Sequence, residues 1–183
     1  MIRWSCLLFG ATLLSQAVPL AAADRSLLVA ERRARAEWAK AENRKSCAPL
    51  ALARGGTPEG TPRAATFSGG WAVAFDLPGR RSAYGFAGTG LLPSDKADAR
   101  THRARLKRQW PYFRELARLP APSFAGYGQE GADPYPARNA AGTGLHSLAY
   151  LRVGGQRCTY NVWSRISRAH LEWLLDNLRL LPG

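Results

Sequence analysis

Hydrophobic and polar residues alternate with two distinct periods along this chain, and each period predicts an element. Between residues 25 and 45 there is no Gly or Pro, and Leu27, Ala30, Ala34, Trp38 and Ala41 recur at helical spacing among charged residues. A helix with one narrow apolar stripe follows, ending before Cys47 and Pro49. Residues 55–70, rich in Gly, Pro and Thr, read as a loop. Trp71, Val73, Phe75 and Leu77 then alternate with Ala72, Ala74 and Asp76, which is strand periodicity with one bulky face. Pro78-Gly79 marks a turn before a returning strand over residues 82–87. A type II turn fits strand twist poorly, so a loop longer than two residues is expected there. Asp76, close to that turn, is read as a turn residue rather than a catalytic acid.

A second helix is predicted from Ser94, as cap, through Lys107 and Arg108, with Pro111 kinking or ending it. A short strand over 123–128 and a loop over 129–144 come next. Residues 145–153 and 157–163 form a predicted hairpin across Gly154-Gly155. The last helix is capped by Ser167, with Ile166 and Leu171 as a hydrophobic staple and Leu171, Leu174, Leu175 and Leu178 as its buried stripe. Together these elements predict an α+β fold. An antiparallel sheet of four to six strands would carry the second and last helices on one face and the N-terminal helix at its edge.

The first residues change the picture of where the chain resides. Arg3 precedes an apolar run from Cys6 to Leu14, then Pro19 and the triplet Ala21-Ala22-Ala23. This is the pattern of a cleavable secretory signal peptide, residues 1–23, cut after Ala23. A retained anchor is the competing reading. Residues 24–183 would then be a single periplasmic or secreted domain with no integral membrane segment. Cys47 and Cys158 are the two thiols outside that leader, and in an oxidising compartment they are expected to pair.

Charge points toward anionic partners. Lys and Arg number 26 against 13 Asp and Glu, a formal net charge of +13. Arg3 is the only charge in the leader, so +12 would remain. Arg dominates Lys, and Ala, Gly and Pro are frequent, so a coding bias toward these residues accounts for the same composition without any selected binding surface. Position matters more than the total. At about 100° per residue, Lys96, Arg100, Arg103 and Lys107 fall within about 60° of one another on the second helix. Ala99, Leu106 and Trp110 occupy the neighbouring arc. That stripe is the candidate binding site for an anionic envelope polymer or an acidic protein; nucleic acid is not the expected partner of an exported chain. A plain solvated helix face has the same pattern.

Tests for catalytic chemistry give no motif. Gly85 to Gly90 lacks the Lys-Ser/Thr of a phosphate-binding loop and the strand-to-helix context of a dinucleotide fingerprint. His102, His146 and His170 lie in separate elements without ligand spacing, so neither metal nor cofactor is expected. His170 is read as a surface residue. The expected function is non-enzymatic binding in the bacterial envelope. The alternatives are a protein-partner module (inhibitor, immunity-type or assembly factor) and a hydrolase whose site forms only in three dimensions.

Overall fold

The computed structural model describes residues 28–67, 69–89, 96–129 and 147–183. The signal-peptide reading of residues 1–23, the Ser94 cap, His146 and most of the 129–144 loop lie outside them. The chain is α+β, with three α-helices, a seven-stranded antiparallel sheet and a separate two-stranded sheet.

Helix α1 runs over Glu31–Lys40 and is followed by a short 3-10 turn, Glu42–Lys45. It is shorter than its apolar stripe predicts because tertiary bonds claim the next turn. Ala41 is extended, Glu42 N–H donates to the Gly69 carbonyl (3.2 Å), and Asn43 Nδ2 donates to the Gly88 and Thr89 carbonyls (2.9 and 2.5 Å). Strand β1, Leu50–Leu52, follows and pairs with the last strand of the chain.

Strands β2 (Thr61–Phe67), β3 (Gly70–Leu77) and β4 (Arg80–Gly88) form a meander. β2 lies inside the stretch read as a loop. It carries Pro62, which has no N–H to donate to a ladder and is tolerated because β2 is an edge strand. The β3–β4 connection is two residues long, Pro78-Gly79 with Gly79 at φ 68°, and not the longer loop expected. The twist mismatch is absorbed by a bulge. The register shifts between Phe75 and Leu77, Ser82 takes φ 50°, and its N–H donates to Asp76 Oδ1 (2.6 Å).

Helix α2 spans Ala99–Gln109, and β5 spans Tyr112–Glu115. Pro111 therefore ends the helix and does not kink it. β6 (Phe124–Gln129), β7 (Ser147–Arg152) and β8 (Tyr160–Ser164) pair as neighbours, with Leu151 opposite Tyr160 across the predicted hairpin. Helix α3, Arg168–Asn177, and β9, Leu178–Leu180, complete the chain, β9 pairing with β1. The Ser167 hydroxyl accepts from His170 N–H (3.0 Å), as its cap position predicts.

The large sheet runs in the order β2-β3-β4-β8-β7-β6-β5, seven strands where four to six were expected. Its bulky face, with Trp71, Val73, Phe75, Tyr84, Phe86, Tyr160 and Val162, is buried under α3 and α1. α2 covers the opposite face, at β5, β6 and β7. The N-terminal helix, not the second one, thus shares the bulky face with α3. The reason is Gly126: a Cβ there would lie 3.0 Å from Leu106 Cβ and 2.7 Å from Trp110, so α2 approaches through a notch on the other side. Cys47 and Cys158 are bonded, with Cα atoms 5.5 Å apart across a separation of 111 residues.

Candidate functional site

Asp98, not Ser94, caps α2. Its carboxylate accepts from Thr101 N–H (2.8 Å) and Thr101 Oγ1 (3.0 Å), and these bonds, the backbone one first, hold its pKa below the usual carboxylate value. The shorter helix divides the predicted stripe. Lys96 lies before the cap and is exposed, whereas Arg100, Arg103 and Lys107 share one helical flank. Leu106 and His102 lie on the neighbouring arc and are buried against the sheet.

Two of these cations lean over rings supplied by strands. The Arg103 guanidinium sits 5.0 Å from the centre of the Phe124 ring and pairs with Glu115 at 3.1 Å. Lys107 Nζ lies 4.8 Å from the Phe113 ring centre. Both are therefore pre-positioned rather than freely solvated. Among the described residues the Lys96 side chain makes no hydrogen bond or ion pair, whereas Arg100 acts on the Asp98 carboxylate through its backbone N–H and its charge. Arg105 and Arg108 add cations to the same short segment. Asp98 is the only acid between residues 96 and 108, against six Lys and Arg, so the segment carries a net positive charge. Sequence alone places the stripe on one flank but not the two aromatic rings beneath it, which arrive from β5 and β6.

A Ser–His pair is also present that sequence spacing did not reveal. Ser164 Oγ lies 3.0 Å from His170 Nδ1, and the same oxygen accepts from Ile166 N–H (3.1 Å). His170 is buried, contrary to the surface position expected for it, because the first turn of α3 faces the sheet. Its ring meets the edge of Tyr84 at 4.8 Å and stacks on Trp173 at 6.0 Å. Burial pulls its pKa below the usual 6.5. As a nucleophile and base the pair is poorly arranged. Ser164 is 0% exposed, and His170 Nε2, the atom that an orienting acid would engage, has no partner. Sealed against substrate, the pair joins β8 to α3.

Asp76 accepts from Arg63 Nε (2.8 Å) as well as from Ser82 N–H. Its pKa is lowered chiefly by the Ser82 bond, so it acts as the turn residue expected of it. Among the described residues, no three His, Cys, Asp or Glu side chains converge as a metal site, and no helix is long and apolar enough to cross a membrane. Fold and surface together define a disulfide-closed α+β domain with one strongly basic helical flank. Comparison with protein-family models, curated proteins and solved structures gives no match.

Proposed function

We propose that this protein is an exported, non-enzymatic domain of the bacterial cell envelope that binds an anionic envelope polymer or an acidic protein through the outward flank of α2. One observation carries the reading: Arg100, Arg103 and Lys107 share one flank of α2, Lys96 stands exposed just before its cap, and Asp98 is the single acid of that segment. The Phe124 and Phe113 rings hold two of the cations in place, which lowers the entropy lost when an anion is bound. The signal-like leader and the Cys47–Cys158 bond support export.

The test is retention on an anionic polysaccharide or polyphosphate matrix at increasing salt. Charge reversal at Lys96, Arg100 and Lys107 avoids the Arg103–Glu115 pair and should move elution to much lower salt. Elution of this variant at the salt of the unaltered protein would mean that the flank is solvation only.

A further inference from the structure

A second cationic feature lies outside α2 and has the shape that the helical flank lacks. A cleft of about 380 Å³ opens where the residues after β5 meet the C-terminal end of α3 and the start of β9. Arg54, Arg114, Arg118 and Arg179 line it, with Glu115 and Asp176 as its acids. Both acids are engaged. Glu115 pairs with Arg103 of α2, and Asp176 Oδ1 accepts from Arg114 at 2.6 Å. Arg179 donates to the carbonyls of Leu178 (2.7 Å) and Asp176 (3.2 Å), which fixes its guanidinium without neutralising it. Arg54 and Arg118 carry no hydrogen bond or ion pair among the described residues. Three guanidinium groups therefore border one concave space without a counter-charge. The pKa of Arg179 is lowered, by desolvation first and then by the charges of Arg118 and Arg54.

Convergence of like charges on a cleft is unfavourable unless an anion offsets it. A carboxylate saturates one guanidinium fork, whereas a phosphate presents three terminal oxygens and two charges to several forks at once. We propose that this cleft binds a phosphate-class dianion, inorganic phosphate or a phosphomonoester group, held by Arg54, Arg118 and Arg179. Asp176 keeps Arg114 at the wall, so Arg114 shapes the cleft and contributes little free charge. The site stands apart from the α2 flank and does not depend on it: Glu115 borders the cleft but turns its carboxylate to Arg103.

The experiment uses the full mature chain and thermal unfolding at one fixed ionic strength, with chloride and acetate as reference salts. Inorganic phosphate, glycerol 3-phosphate and vesicles containing phosphatidic acid are the probes. Because a ligand that binds only the folded state raises Tm, at least one phosphate probe should raise it beyond both references. Arg54→Ser/Arg118→Ser, both exposed positions, should not lower Tm in chloride, since like charges are removed, and should weaken the phosphate response about tenfold or more. The probe that works distinguishes a soluble phosphate from a lipid headgroup. Arg100→Glu/Lys107→Glu should keep the full response, which separates this site from the helical one. Equal phosphate stabilisation in the Arg54/Arg118 variant, or no phosphate effect beyond acetate, overturns the proposal.

Discussion

His170 and Asp76 show how single side chains set the pH response of this fold. His170 is packed between Tyr84 and Trp173, with Ser164 on Nδ1, and its folded pKa lies below 6.5. The unfolded chain therefore binds the proton more readily than the folded one. The stability this residue contributes is complete above pH 6.5 and declines as pH falls toward its lowered folded value. Thermal unfolding of the unaltered protein should weaken between pH 7 and 5, and His170→Gln should flatten that slope while lowering Tm at pH 7. An unchanged slope would show that His170 does not govern it. Asp76 acts lower, since its pKa is depressed below 3.8 by the Ser82 N–H and Arg63. Its contribution is present above pH 3.8 and is lost below that. Tyr127, raised to about 12 mainly by burial and then by its bond to Glu172, stays protonated throughout and only donates.

At the scale of elements, α3 is the best determined. Ser167 caps it, and Leu171, Leu174, Leu175 and Leu178 are each at most 1% exposed. Ser167→Ala should cost about 1 kcal/mol, and Leu174→Ala about 2–5 kcal/mol through transfer and cavity terms; denaturant unfolding measures both. Both features were readable because a cap and a 3.6-residue stripe are local signals. The β3–β4 hairpin was only partly readable. Its strands follow from alternation, but the two-residue turn survives through the bulge at Ser82 and the Asp76 carboxylate. β2 was invisible because Thr61, Pro62 and Arg63 have no alternating apolar face; its pairing with β3 decides it. Gly85 lies within β4, in the strand expected there, opposite Trp163, and a Cβ would meet that ring at 2.3 Å and the Val73 carbonyl at 2.4 Å. Gly85→Ala should therefore cost about 1–3 kcal/mol.

On the scale of the whole molecule, one core and one covalent link connect distant parts of the chain. The core runs from Ala34 to Leu181, and β1 reaches β9 across nearly the full described length. The Cys47–Cys158 bond closes a loop of 111 residues, so Cys47→Ser/Cys158→Ser should lose about 4–5 kcal/mol through greater freedom of the unfolded chain. Gly88 fits against this link, since a Cβ there would lie 2.6 Å from Cys47 Sγ.

What the sequence determined by itself is what local chemistry encodes: the α+β class, the paired cysteines, the Ser167 cap, the leucine stripe and a row of cations at helical spacing. These depend on the period of side-chain directions and on residues close along the chain. What only the tertiary structure decided depends on long-range encounters. It set which face α1 and α2 cover, the rings under Arg103 and Lys107, and the burial of His170 on Ser164. It also gathered Arg54, Arg114, Arg118 and Arg179 around one cleft. Those arginines come from three separate stretches, and no spacing rule links residues that meet only after the sheet has formed.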